Sequence, residues 1–353
     1  MKLVGVVTLY DNVNYGNRLQ NYAVVRYFAK NGIVAETVVK KASLSFRKTV
    51  KSVIKKAIVK FLNKPENVSF LEYTRRENFA AFSKRYIPTR FYKKTIPNRF
   101  LNRYELFVVG SDQVWNPCFG GYEKFFDEMF LMGVPNHKKA CFAPSFGVSA
   151  IPKEWHAKFT DALNSFPKLS AREQAGVDII KDLTGKDAFV MIDPTLMLDS
   201  TEWLEVAHCI DGLPDQYVLD YFLGETPSDQ SYHNVLLGKY GTERIRLLDV
   251  LHRDIYVSGP AEFIYLVSKS SLICTDSFHA CVFAILFDKP FSLFKRIDSE
   301  NNMFSRLRTL LGLFSIDVDK LESGEIIHID PILRDEVLAR KREEVRQYFF
   351  EPK

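Results

Sequence analysis

Short apolar runs that end in polar or glycine-containing turns alternate with stretches of helical periodicity along most of this chain. A sequence written that way has few options: the runs form parallel strands, and each helix between them crosses over to cover the sheet. The pattern predicts strands at 3–9, 33–39, 104–109, 139–142 and 168–170, with helices at 18–30, 71–85 and 153–166. A second series follows, with strands at 188–192, 216–222, 243–248 and 272–275 and helices at 228–239, 261–269, 279–287 and 303–313. Pro331 opens a last amphipathic helix that runs to about 350. Ser170-Ala171-Arg172-Glu173 has the spacing of a capping box and predicts a helix starting there. No short internal repeat is visible.

At about 150 residues per domain, 353 residues make two domains with ample core. The expected fold is therefore α/β: two facing Rossmann-like domains, residues 1–187 and 188–330, and a C-terminal helix over 331–353. The crossing is placed at Asp193-Pro194-Thr195, near the middle, where the proline cannot continue regular pairing. The longest purely apolar run, Ala280 to Phe287, is far short of the roughly 20 residues of a membrane span. The N-terminal apolar run is too short for a signal peptide, and a cytoplasmic protein is expected. Five cysteines at 118, 141, 209, 274 and 281 include no C-x-x-C pair and are expected to be reduced and buried.

The net charge of +5 hides an asymmetry. Residues 40–103, read as a basic insertion, hold 18 Lys and Arg against three acids, a net +15 that leaves −10 elsewhere. Within it, apolar residues recur at helical spacing from Phe46 to Leu62 while lysines and arginines occupy the other faces. Such a helix either lies on an anionic membrane or packs on its own domain; the apolar stripe fits both, and the density of lysines favours the membrane. No nucleic-acid recognition motif accompanies the charge, so nucleic acid is not expected as a partner.

Ligands of open α/β sheets bind beyond the carboxyl ends of the strands, which directs attention to four turns. In Asn14-Tyr15-Gly16-Asn17-Arg18, Gly16 lets backbone approach a ligand and the next helix offers free N–H groups; a plain tight turn capped by Asn17 fits equally. In Gly110-Ser111-Asp112-Gln113, Asp112 is either a general acid or base or a turn-forming aspartate. Arg172 in the first turn of a helix would be misplaced in the macrodipole unless an anion binds there, although a simple surface arginine fits too. In Thr275-Asp276-Ser277-Phe278-His279, a helix N-terminus supplies N–H donors to an anion beside a histidine able to exchange a proton. A core histidine satisfied by Asp276 is the other account. The spacing of Cys274, His279 and Cys281 matches no zinc pattern, and no metal is expected.

Taken in order, N-Y-G-N-x-L-Q, V-G-S-D-Q-V-W-N, S-F-G (Ser145 to Gly147), S-A-R-E-x-x-G (Ser170 to Gly176), D-P-T-L (Asp193 to Leu196), T-D-S-F-H and K-P-F (Lys289 to Phe291) resemble the polysaccharide pyruvyl transferase family over about residues 5–315. The resemblance implies a two-domain architecture similar to GT-B glycosyltransferases. It also implies transfer of the enolpyruvyl unit of phosphoenolpyruvate to two sugar hydroxyls as a ketal, in cell-surface or capsular polysaccharide synthesis, with no cofactor beyond that donor. Arg172 and His279 would hold or protonate phosphoenolpyruvate. Its several negative charges need further cations or helix N-termini, which the turn at Asn17 would help supply.

Two positions depart from the family pattern: Ala280 stands where many members have glycine, and Ser277 where some have a basic residue. The missing charge would come from Arg306, Arg296 or Arg18. His279 is assigned as acid and Asp112 as base, with the reverse nearly as plausible. Tyr15 and Trp115 either stack on sugar faces or pack in the core. The acceptor would be a saccharide, in this family often carried on a lipid, and the basic helix would then hold the enzyme peripherally at the inner membrane face. Two rivals share the expected architecture: a nucleotide-sugar glycosyltransferase and a non-catalytic assembly partner.

Overall fold

The computed structural model describes residues 2–10, 13–41, 68–227, 232, 240, 243–295 and 304–351. The basic stretch at 46–62, most of 228–239 and Arg296 lie outside them. The first half runs β1 (Leu3–Val7), α1 (Tyr15–Lys30), β2 (Val34–Lys40), α2 (Val68–Tyr86), β3 (Thr89–Tyr92), α3 (Asn98–Arg103), β4 (Leu106–Val109), α4 (Phe126–Met129), β5 (Lys139–Cys141), α5 (His156–Asn164), β6 (Ser170–Ala171), α6 (Gln174–Thr184) and β7 (Phe189–Val190). Five of these strands form a sheet ordered β3-β2-β1-β4-β5, parallel throughout. The nearly unbroken apolar sequences of β1 and β4 are what strands covered on both faces require.

The second half continues with α7 (Ser200–Leu204), β8 (Val218–Tyr221), β9 (Arg244–Arg246), α8 (Arg253–Tyr256), α9 (Pro260–Lys269), β10 (Leu272–Thr275), α10 (Phe278–Leu286), β11 (Phe291–Leu293), α11 (Phe304–Gly312), β12 (Ile326–Ile327) and α12 (Pro331–Phe350). Its sheet is ordered β12-β11-β10-β8-β9, parallel except for β12. This is the α/β fold expected from the sequence: two Rossmann-like sheets and a C-terminal helix. Among the described residues, no helix is long and apolar enough to cross a membrane.

Helix α1 lies between the halves. It packs on the turn at Pro194–Met197 and on α9, where Tyr15 stacks on Phe263 at 4.7 Å between ring centroids. Helix α12 returns across the molecule. Its Arg342 donates to the carbonyls of Leu196 (2.7 Å) and Leu198 (2.9 Å), and Phe349 rests on Phe28 and Phe142 of the first half.

Four expectations are corrected. Helix α1 begins at Tyr15, and its N-cap is Asn14, whose side chain accepts from Asn17 N–H at 3.0 Å; Asn17 is thereby released for other work. Ser170 caps nothing: it is a strand residue, and α6 starts only at Gln174, so Arg172 precedes the helix and does not oppose its dipole. The 40–103 segment is not all insertion, because β3 is the edge strand of the first sheet. Glu36 of β2 accepts from Arg90 at 2.8 Å and from Arg103 at 3.2 Å, tying the charged edge down. All five cysteines are free, but Cys118 and Cys209 are exposed.

Candidate active site

Strand order reverses in both sheets, between β1 and β4 in the first and between β8 and β10 in the second. Such reversals splay adjacent loops apart and leave a crevice at the carboxyl ends. Here the two crevices face each other and form one cleft of about 880 Å³. Asn17 and Asp112 line it from the first half, and Ser277, His279 and Arg306 from the second.

Asp112 follows β4 with φ 67, a left-handed conformation that aspartate adopts more readily than most residues. Its Oδ2 accepts from Asn17 Nδ2 at 3.0 Å, and its Oδ1 lies 3.7 Å from Arg172 Nη2. Ser111, beside it, is fully buried. Its N–H donates to Gln20 Oε1 at 2.9 Å and its hydroxyl to the Ala143 carbonyl at 2.7 Å. Burial alone would raise the Asp112 carboxyl, but Arg172, then His279, Asn17 and Arg306, outweigh it and hold the group below its ordinary value.

Asp193 is the centre of the site. Its Oδ2 accepts from Arg172 Nη1 at 2.7 Å, stands 3.6 Å from His279 Nε2, and lies 3.4 Å from the Ser111 hydroxyl that points toward it. Its Oδ1 accepts from the N–H and hydroxyl of Thr195, at 3.0 and 2.7 Å. Burial opposes the charge, yet His279, Arg172 and the Thr195 N–H prevail and keep the carboxyl well below the usual range. One fully buried carboxylate thus bonds the guanidinium of one half and faces the imidazole of the other, whose Nε2 has no hydrogen-bond partner among the described residues. Burial in turn favours loss of the Arg172 proton, and Asp193, Asp112 and Glu173 more than restore it. Two Arg172 donors, Nε and Nη2, have no hydrogen-bond partner among the described residues.

His279 sits in the first turn of α10, whose N-cap Ser277 accepts from Ala280 N–H. Across the cleft its ring lies flat on Gly16. A Cβ built there would come within 2.0 Å of Nδ1 and 2.3 Å of Cγ. Gly16 is therefore needed for the close approach of the two halves and not for a ligand. Gly16→Ala is expected to push the imidazole off Asp193, costing about 1–3 kcal/mol of stability as overpacking does and at least ~10-fold in turnover from misplacement of a reacting group. Thermal melts and steady-state rates on the same preparation check both.

The remaining expected site residues lie behind the cleft wall. Arg18 is fully buried, donates to the Leu9 carbonyl at 2.7 Å and to Asn17, and stacks on Tyr10. It cannot replace a cation at 277, whereas Arg306 lines the cleft and is placed to do so. Asp276 accepts from the N–H groups of Leu223 and Gly224 at 2.7 and 2.8 Å and so shapes that loop. Arg172 is buried against Asp193, with its guanidinium 4.6 Å from the Phe278 ring.

Tyr15 and Trp115 are core. Tyr15 donates to the Ser258 carbonyl, and Trp115 stacks on Phe130 at 5.2 Å while donating to the Met129 carbonyl. Besides buried Phe278, the aromatics that reach the cleft are Tyr10, Phe91, Phe119 and Phe125, all exposed. Sequence reasoning missed these, and it missed Asp193 as a site residue even though D-P-T stood out. It also missed Glu173, whose carboxylate accepts from the Ser145 hydroxyl and Phe146 N–H, both at 2.9 Å, and fixes the S-F-G turn.

A model of the polysaccharide pyruvyl transferase family matches residues 14–296, and the chain belongs to that family of transferases. A search of curated proteins found no match. Solved structures of similar course include a UDP-GlcNAc 2-epimerase from Neisseria meningitidis bound to UDP-GlcNAc (13% identity over 100% of this chain and 92% of that one, TM-score 0.46). Others are Anabaena HepE in complex with UDP and glucose (10%, 99% of each chain, 0.46) and a glycosyltransferase from Rickettsia africae (11%, 100% and 99%, 0.45). At these identities and scores nothing about substrate carries over to this chain.

Proposed function

We propose that this cleft transfers the enolpyruvyl unit of phosphoenolpyruvate to two hydroxyls of a saccharide, forming a pyruvate ketal and releasing phosphate. The observation that carries the reading is the pairing across the cleft of an aspartate held ionised, Asp112, with a histidine backed by a buried carboxylate, His279 on Asp193. Ketal formation needs a proton delivered to the methylene carbon, two hydroxyls added in turn at C2, and loss of phosphate. His279, which faces Asp193 at 3.6 Å, supplies the proton. Asp112, kept ionised, accepts a hydrogen bond from the attacking hydroxyl and takes its proton. That division of labour supports His279 as acid and Asp112 as base over the reverse.

Arg306 and the first turn of α10 supply the positive field for the donor's phosphate and carboxylate, and the charge of Arg172 adds to it from behind the wall. Exposed Phe91, Phe119 and Phe125 offer faces on which a sugar ring stacks. The basic stretch at 46–62, where it meets an anionic membrane, would place the cleft beside a lipid-borne acceptor.

The test is a thermal-shift titration with phosphoenolpyruvate, with UDP, GDP and their sugar conjugates in parallel. A ligand at 100 times its Kd stabilises the native state by about 2.7 kcal/mol, enough to move the melt. The expected result is a shift with phosphoenolpyruvate that disappears in Arg172→Ala. A shift with a nucleotide sugar alone would move the protein to the glycosyltransferases.

A further inference from the structure

Next to Asp112 the wall of the main cleft is formed by Gln113, which is half-buried. Its carboxamide is turned by a chain of hydrogen bonds that begins at a group able only to donate. The Cys118 backbone N–H meets the Asn116 side chain at 2.9 Å and so selects its oxygen, Oδ1. Asn116 is left with Nδ2, which donates to Gln113 at 2.7 Å and selects Oε1 of that residue. Gln113 therefore keeps Nε2, a donor and nothing else, for the cleft. The groups that take Oε1 stand behind the wall, since Asn116 is buried and neither it nor Gly147 lines the cleft. Gly147 has φ 63, and a Cβ built on it would come within 2.1 Å of Gln113 Oε1 and 2.7 Å of Asn116 Nδ2. Glycine is thus required there for the pair to form, and Glu173 holds the turn by accepting from Gly147 N–H at 3.3 Å. The Gln113 backbone N–H also donates to Asp112 Oδ1 at 2.9 Å, so carboxylate and carboxamide belong to one fixed turn.

We propose that Gln113 seats the attacking hydroxyl of the saccharide, its Nε2 donating to the oxygen of the hydroxyl whose proton Asp112 takes. That a saccharide enters rests on the reading of the main cleft given above; the polarity of Gln113 rests on the turn itself. A hydroxyl has one proton and two lone pairs. When its proton is given to Asp112, the oxygen can only accept from a second neighbour, and Gln113 offers a donor. One lone pair is then held by the amide and the other is left to attack C2. With the carboxamide turned the other way, Oε1 would compete with Asp112 for the same proton and misdirect it. Asn116 and Gly147 do not touch the sugar and are positioning residues: they set which end of Gln113 the sugar meets before it binds.

The experiment follows the side-chain amide of Gln113 in the nitrogen–proton NMR spectrum of the full chain, its signals identified by their loss in Gln113→Met. Methyl galactoside, methyl glucoside and methyl mannoside are the probes. The expected result is that at least one of them moves these signals, and that its Kd rises ~10-fold or more in both Gln113→Met and Asn116→Asp. In Asn116→Asp the carboxylate still accepts from Cys118 N–H but cannot donate, so Gln113 turns to give it Nε2 and presents Oε1 to the cleft. Its amide signals then no longer respond to the sugar, although no residue of the cleft wall has been replaced. Thermal melts verify that both variants fold. Gln113→Met alters only a half-buried side chain and carries the test if the buried carboxylate unfolds the other. Amide signals that none of the three glycosides moves, or wild-type affinity in Gln113→Met, overturn the proposal. The phosphoenolpyruvate melt shift is read on the same proteins. Its absence from all of them, with the sugar response present in wild type and lost in the variants, fails the donor reading and leaves the seat of the hydroxyl standing.

Discussion

Asp193→Ala is expected to lower stability by about 3–5 kcal/mol, the usual cost of removing one partner from a buried ion pair. The Arg172 side chain is 1% exposed, and its shortest charge contact is the 2.7 Å bond to Asp193; Asp112, at 3.7 Å, compensates only in part. The loss of the two Thr195 bonds adds to the effect. Denaturant titration gives the magnitude, and pH gives a check on its cause. The folded Asp193 carboxyl lies below its unfolded value, so its contribution is fully present above the ordinary aspartate range of about 3.9. That contribution is lost as pH falls through the lower, folded value. The gap between wild type and Asp193→Asn should therefore be constant from pH 7 to about 5 and begin to close only below about 4. A gap that closes well above pH 5 would mean that the Arg172 pair does not carry the stability.

His279→Ala should cost at least ~100-fold in turnover, about 3 kcal/mol of transition-state stabilisation, as loss of a general acid does. The assay is phosphate released from phosphoenolpyruvate in the presence of a saccharide acceptor. His279→Gln keeps a donor of similar shape but delivers no proton, so it separates chemistry from packing against Gly16. Near-normal turnover in either variant would remove His279 from the mechanism.

How much of this was legible beforehand differs by kind of interaction. The strands and helices were read well where neighbours in sequence decide the outcome: β10 and α12 fall at the predicted positions because apolar periodicity and a proline start mark them. The edge strand β3 was lost because TRFY carries its charge on an exposed edge and has no alternating apolar signal. The S-x-x-E spacing misled because Glu173 is claimed by the turn at Ser145–Gly147, a contact 26 to 28 residues away that no local rule contains. Asp112 and His279 were singled out because polar residues after apolar strands or on apolar helices are chemically conspicuous, whereas Arg306 was named only as one of three substitutes for a cation missing at Ser277. Asp193 was noticed but read as punctuation, since its partners at 111, 172 and 279 meet only once both sheets are folded. The exposed aromatics around the cleft gave no signal at all, because a phenylalanine that will face solvent looks in sequence like one that will face the core.

The return of α12 has a mechanical meaning. The sheets are joined by the chain at 191–199, by α1 packed on α9, and again where Phe349 rests on Phe28 and Phe142. Bodies fastened at several points out of line keep no easy rotation about one another, so the seat of His279 on Gly16 is set once, by folding.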